Sequence, residues 1–334
     1  MPHGGPRMSP IARSVTTMLF AVTLAVAVAA SGPPAFTPGP ADSKVFADAQ
    51  LFAFVKRFER AVNTRDTDAI NSAFDPDMLM DRVCEGLSVT PAQRKSFALT
   101  VGLAIASAPY LETVGEGGHV KFLRVHELDG GPRALYRLTG DDGLNYHDAV
   151  LALTDHGRVA IVDAYVYDTG EMMSAILRRM LVQQLGLDAT EPSRDPDRDP
   201  VAALLVSLDE LIRREKWDEA LDSIRRIGKA VGEDPYLDML HAYFLCERGT
   251  YDRAAESADW SIQGDPMLEE ARLIRLRVAL AQHDFGAVAV SLTVLERDFG
   301  WVLDDLRAAP AYGLFVRSPS YKRWMTTRET AMAQ

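Results

Sequence analysis

Thiols are almost absent from this chain: among 334 residues only Cys84 and Cys246 carry one. Two cysteines far apart exclude a disulfide framework and a thiolate metal site, and they read as two separate buried thiols, with a single pairing of the two in an oxidising compartment as the alternative. Clusters of Lys or Arg are also missing. With 36 basic against 47 acidic residues and a formal net charge of −11, the surface repels polyanions, which excludes nucleic acid as a partner. Catalytic, metal and phosphate-binding motifs are absent as well. His119, His126, His147 and His156 have no regular ligand spacing, so neither a metal nor a cofactor is expected. Asn63-Thr64-Arg65 lacks the Ser or Thr of a glycosylation acceptor. Hydrophobic residues at 47% and charged residues at 25% sit at the average for soluble globular chains, which excludes disorder and a polytopic membrane protein.

The N-terminus stands apart from that average. Arg7 and Arg13 precede an uncharged stretch over 14–30, and Ala27-Val28-Ala29 is a small-x-small cleavage signal, so residues 1–31 read as a signal peptide and the protein as exported, periplasmic or secreted. The alternative is an uncleaved anchor, the one way a membrane would enter, because the apolar run falls just short of the ~17 to 25 residues that span a bilayer. Residues 32–42, rich in Pro and Gly, form a spacer.

From residue 43 the pattern is that of an α+β domain extending to 187. Apolar residues at helical spacing predict helices over 45–62, 67–74, 77–87 and 171–187, and Thr90-Pro91 predicts the start of a long helix running to about residue 108. The period then drops to two. Strands are predicted over 119–128, 133–139, 144–154 and 158–167, separated by Asp129-Gly130-Gly131, 140–143 and Asp155-His156-Gly157, the residues that hairpin turns require. Helices on one face of an antiparallel sheet follow. Strict alternation places Asp163, Tyr165 and Tyr167 on one strand face and Asn145 and His147 on another, with His126 and Tyr136 able to point the same way. Asp163, His147 and Tyr165 are therefore the candidates for acid–base chemistry. The competing reading makes them cover for the sheet, and Val159, Ile161, Leu151, Leu153, Phe122 and Leu135 an apolar interior. A polar, Pro-rich linker over 188–200 ends the domain.

Beyond the linker the chain repeats. Trp217, Tyr251 and Phe285 recur every 34 residues, as do Ala220, Ala254 and Val288. Lys216-Trp217-Asp218-Glu219-Ala220 and Thr250-Tyr251-Asp252-Arg253-Ala254 share an aromatic-Asp-x-Ala pattern, and Ala242, Gly249, Ser261 and Pro266 complete the middle copy. Over residues 201–302 this resembles three degenerate hairpins of the tetratricopeptide family. The outer copies depart from the family pattern, with Leu208 and Leu276 at its first small position and Ile227 and Leu295 at its last. Residues 303–334, with Tyr312, Phe315, Tyr321 and Trp324, read as an aromatic segment capping the last hairpin. The helices-then-sheet order of 43–187, and the segment from Phe58 to Asp66, resemble the first helix and layout of the nuclear-transport-factor-2-like cone.

The first resemblance implies an α-helical solenoid whose first helices line a concave groove for a protein or peptide partner. Carried onto this chain, the groove positions are Asp209, Arg213, Tyr236, Met239, Tyr243, Glu247 and Arg277. Without a catalytic motif, the expected role is a non-enzymatic binding or assembly module. The alternative is an enzyme, or a small-ligand or lipid-binding protein, working through the pocket of the cone.

Overall fold

The computed structural model describes residues 48–98, 103–115, 117–140, 143–186, 199–303 and 306–332. The segments expected to be signal peptide and spacer, and most of the expected 188–200 linker, lie outside the described residues. The chain divides into two compact units, Met1–Asp209 and Glu210–Gln334.

The first unit opens with α1 (Asp48–Asn63), α2 (Thr67–Ala73) and α3 (Pro76–Cys84). Each short helix starts where its sequence provides a cap. Asp66 accepts a hydrogen bond from the Ala69 N–H and Asp75 from the Met78 N–H, satisfying amides that the helix itself leaves unpaired. At α4 (Pro91–Phe97) Thr90 and Gln93 form a reciprocal capping box behind Pro91. The expected long helix appears as α4 and then α5 (Leu103–Gly115), with residues 99–102 outside the described set; Pro109 lies within α5.

The sheet follows: β1 (His119–Leu128), β2 (Gly131–Gly140), β3 (Gly143–Leu153), β4 (Val159–Val166) and a two-residue β5 (Glu171–Met172), antiparallel and paired in chain order. Four strands were expected; β5 takes the first residues assigned to the following helix, α6 (Met173–Leu185). Asp129 and Gly130 adopt φ of 54° and 75°, the left-handed conformation that a tight hairpin demands. Register shifts at Phe122/Arg124 and Val150/Leu151 mark bulges, which bend strands and sharpen their twist.

β1 is a sheet edge, and two side chains of α1 occupy it. Asn63 donates to the Val120 carbonyl at 2.7 Å and accepts from the Val120 N–H at 2.9 Å, while the Glu59 carboxylate accepts from the Phe122 N–H at 2.9 Å. These side chains stand in for a neighbouring strand and remove an edge that would otherwise pair with another chain. On the face that meets the helices, Phe58 makes edge-on ring contacts with Phe74, Tyr110 and Tyr136 at 5.1 to 6.0 Å. Residues Pro132 to Gly140 of β2 and all of β4 are buried, so both faces of these strands are covered, unlike an antiparallel sheet with one solvated face.

After α7 (Asp199–Arg213), the second unit contains α8 (Trp217–Val231), α9 (Pro235–Glu247), α10 (Tyr251–Gly264), α11 (Glu269–Ala281) and α12 (Phe285–Phe299). From α8 to α12 each helix packs on its sequence neighbour, and α9 also meets α11. Ala220, Ala254 and Val288 are fully buried, one on each of α8, α10 and α12. At the start of α9, Ser261 donates to the Pro235 carbonyl at 2.6 Å, and a Cβ on Gly264 would sit 2.5 Å from the Pro235 ring.

The turns between helices are more regular than the residues in them. Arg65, Glu215, Gly249 and His283 adopt φ of 57°, 55°, 73° and 58°. In all four turns this residue's N–H bonds the carbonyl three back, and the next residue's N–H bonds the carbonyl five back: Arg65 to Val62 and Asp66 to Ala61, Glu215 to Ile212 and Lys216 to Leu211, Gly249 to Cys246 and Thr250 to Leu245, His283 to Leu280 and Asp284 to Ala279. This is the Schellman ending of a helix, running straight into the next one. Three copies stand 34 residues apart; the fourth joins α1 to α2.

The aromatic tail folds into two short 3₁₀ turns, α13 (Gly313–Val316) and α14 (Pro319–Met332). Phe315, Tyr321 and Trp324 share a core with Leu276, Val288, Leu292 and Leu295 of α11 and α12. The Trp324 indole N–H reaches the Thr293 hydroxyl at 3.1 Å. Both cysteines are free thiols; Cys246 is buried as expected and Cys84 is only half-buried.

Candidate functional sites

Two regions contain the residues singled out by the sequence: the interior of the first unit and the helices of the second.

In the first unit, strand register parts His147 from Asp163 and Tyr165, which stay together on one face of β4 as expected. His147 lies opposite Val166 and Tyr136, whereas Tyr165 lies opposite Asp148, one step along and therefore on the other face. The bulge beside Val150 offsets the alternation that had placed these side chains together. Leu135 also pairs with Asp148, so it leaves the face shared by Phe122, Leu151, Val159 and Ile161. His126 pairs with Arg133 and not on the Tyr136 face.

Asp163 is 1% exposed, and its carboxylate is committed to α6: it accepts from the Ser174 N–H at 3.0 Å and the Ser174 hydroxyl at 2.6 Å, and from the Ala164 N–H at 2.9 Å. Burial pushes its pKa up, opposed by the Ser174 bonds and by Arg82 at 3.9 Å. Its task is to hold the first turn of α6, whose own N-cap residue, Met172, has no side chain able to do so.

His147 is fully buried, and burial lowers its pKa to about 3, so it stays neutral at ordinary pH. Its ring stands edge-on to Tyr110, centroids 4.9 Å apart. Asn145 Oδ1 accepts from the Tyr146 and Asp168 N–H groups, which turns the Asn145 amide nitrogen towards His147 Nε2 at 3.3 Å. Nε2 must then accept, leaving the ring proton on Nδ1, and Nδ1 has no hydrogen-bond partner among the described residues. The Tyr110 and Tyr136 hydroxyls share that condition, and burial raises the pKa of both. Three orphaned polar atoms around one aromatic cluster are unusual, since each costs ~1 to 3 kcal/mol.

An Asp–His pair does exist in the sheet, formed by residues the sequence did not single out together. Asp148 is fully buried, with His126 Nε2 at 3.4 Å and Arg133 Nη1 at 3.8 Å. The pair spans β1 to β3 across β2, and only the register reveals it.

In the second unit the expected groove positions separate by exposure. Tyr236 and Met239 are each only 4% exposed, which corrects their reading as open anchors. Helix α9 is apolar around most of its circumference, so its sequence does not tell an outward face from an inward one. Tyr243 and Glu247 are half-buried on α9, and Arg277 of α11 is exposed and donates to Glu247 at 2.5 Å. Burial, reinforced by Glu247, pushes the Tyr243 pKa up to about 12. Its ring meets Trp217 of α8 edge-on at 6.2 Å. Asp209, the last residue of the first unit, is half-buried, and Arg213 is exposed and paired with Glu210 at 2.5 Å.

Among the described residues, no His, Cys, Asp and Glu group is arranged to hold a metal ion. No family model, no curated protein and no solved structure matches this chain.

Proposed function

We propose that this is an exported, non-enzymatic binding or assembly module, in which α7 to α12 form a tetratricopeptide-like array and Tyr243, Glu247 and Arg277 hold a protein or peptide partner. The observation that carries the reading is the 34-residue recurrence of both helix starts, at Trp217, Tyr251 and Phe285, and Schellman turns, at Glu215, Gly249 and His283. Repetition of that kind stacks first helices side by side and lines them up along one surface. Tyr243, Glu247 and Arg277 lie on two successive first helices and are already linked to one another. A half-buried tyrosine beside an arginine is the chemistry in which interface energy concentrates.

Export rests on Arg7, Arg13 and Ala27-Val28-Ala29; no described helix is long and apolar enough to cross a membrane. The first unit supports the module as a cone-like α+β platform. A second reading, an enzyme or small-ligand protein acting through that unit, draws on the orphaned atoms of Tyr110, Tyr136 and His147. Against acid–base chemistry stand the commitment of Asp163 to Ser174 and the low basicity of His147.

A photo-crosslinker placed at 243 or 277 in the full chain, expressed in its native envelope, should capture one discrete partner, while the same group at the exposed Trp260 of α10 should not. Equal capture from 260, or none from 243 and 277, overturns the groove. Sequencing the mature N-terminus tests export: a start near Ala30 or Ser31 supports cleavage, and an intact Met1 in the cytosol refutes it.

A further inference from the structure

We propose that the cleft between α1, α2 and the β3–β4 turn of the first unit binds a small amphiphilic carboxylate. The cleft has a volume of about 560 Å³, within the ~300 to 1,000 Å³ of ordinary ligand pockets. Phe54, Phe58, Ala61, Phe74 and Pro76 give it apolar walls. Its only charged lining residues among those described are Arg57 and Arg158, both exposed, and no carboxylate lines it.

The two arginines line the cleft without a counter-charge among its described lining residues. The chain is acidic overall, and many of its arginines are paired: Arg94 with Asp81, Arg179 with Glu171, Arg248 with Asp218, Arg275 with Asp259, Arg328 with Glu296. Arg57 and Arg158 have no carboxylate partner among the described residues. Arg57 lies over the Phe54 ring at 5.8 Å, and Arg158 donates to the Ser72 carbonyl. Two guanidinium groups beside an apolar cleft leave an acid-shaped requirement unmet, because planar guanidinium forks match a carboxylate.

A second observation lies behind the wall. Phe58 and Phe74 separate the cleft from the buried cluster in which the Tyr110 and Tyr136 hydroxyls and His147 Nδ1 lack partners; the Phe58 ring is 5.1 Å from Tyr110 and 5.4 Å from Tyr136. The Asn71 side-chain carbonyl, on the cleft lining itself, is also buried and unpartnered. A core that optimised stability alone would have apolar groups at these positions. The headgroup would meet Arg57 and Arg158, and the apolar body would lie against the phenylalanines.

The position is tied to the rest of the fold. Gln50 of α1 donates to the Gly157 carbonyl at 3.1 Å, holding the β3–β4 turn, and therefore Arg158, against α1; the Asp75 N–H bonds the Ile161 carbonyl at 2.9 Å, closing the other side. The charged residues are thus mounted on fastened elements.

Calorimetric titration of the full chain with decanoate and with decanol tests the proposal. Decanoate should bind saturably with one site per chain, and decanol at least tenfold more weakly. Arg57→Gln with Arg158→Gln should weaken decanoate tenfold or more and leave decanol unchanged. Arg57→Gln alone, which forfeits no hydrogen bond among the described residues, should weaken it at least threefold and keeps the test valid if the double variant melts early. Ser72→Trp, at an exposed lining position, should block both ligands. Equal affinity for decanoate and decanol, unchanged decanoate binding in the arginine variants, or no saturable binding at all overturns it.

Discussion

The two units bury their interiors in opposite ways. In the first, a few aromatic rings do most of the work: Phe58 touches Phe74, Tyr110 and Tyr136, residues drawn from a loop, a helix and a strand up to 78 positions away, which only the finished sheet brings together. In the helical hairpins of the second, alanine and valine stand at the crossings, with Ala220, Ala254 and Val288 letting each helix lie close to the one next to it in sequence, and rings such as Phe315 and Trp324 gather at the tail. Distant contacts make the first unit a single cooperative object. Neighbour contacts make the second a chain of similar steps.

Breaking the centre of each core is the sharpest way to test that contrast. Phe58→Ala removes a ring shared by three partners and should cost ~3 to 5 kcal/mol, read as a drop in the denaturant midpoint of the first unit's transition. If the helical signal of the second unit persists after that transition, the units are independent; a single shared transition would break the comparison. His147 separates them by pH. Folded it titrates near 3 and unfolded near 6.5, so between those values the unfolded chain binds a proton that the folded chain refuses. Stability from this residue is therefore intact above about 6.5 and falls as pH drops, by ~1.4 kcal/mol per unit. Asp163, with its pKa raised by burial, works in the opposite sense, binding a proton more readily when folded and favouring the folded state as pH falls through its raised value. The difference between parent and His147→Gln isolates the histidine: the variant should show a flatter acid limb in urea melts taken from pH 7 to 4.5.

Ala254→Leu should overpack the α9–α10 crossing and lower stability by ~1 to 3 kcal/mol, with the loss confined to the second unit's transition; an unchanged midpoint would mean that this position is not the close contact. The smallest effect concerns the turns. Gly249→Ala places a Cβ at a φ of 73° and should cost ~1 to 2 kcal/mol, while His283→Gly at the equivalent position should be neutral or stabilising by less than that. Opposite signs at two equivalent turns would confirm that they share one backbone; matching signs would not.

Much of the fold was legible because the relevant signals are local. Thr90-Pro91, Asp66 and Asp75 mark helix starts by residues adjacent to the amides they cap, and Asp129-Gly130 marks a hairpin by its own φ. The bulges were not legible. They depend on which residue of a neighbouring strand lies opposite, and a single shifted pair near Val150 was enough to part His147 from Tyr165; Asp148 comes near His126 through the separate pairing of β1 with β2 and β2 with β3. Tyr236 and Met239 show the same limit on a helix: spacings of three and four put them on one face, and an α9 apolar almost all round gives no reason to choose between interior and surface.

The four Schellman turns bear on how a sequence like this one changes over time. Each is closed entirely by main-chain groups, and the pivotal residue is arginine, glutamate, glycine or histidine without altering a bond. The bonds themselves therefore survive a change of residue, which alters only the cost of the left-handed φ, whereas inserting or deleting one residue would misalign carbonyls with the amides they serve. The turn thus constrains length more tightly than identity. Two hairpins can in this way differ at almost every letter and still keep a spacing of 34, so a search for repeats in such chains should score the interval between turns ahead of the residues that fill them.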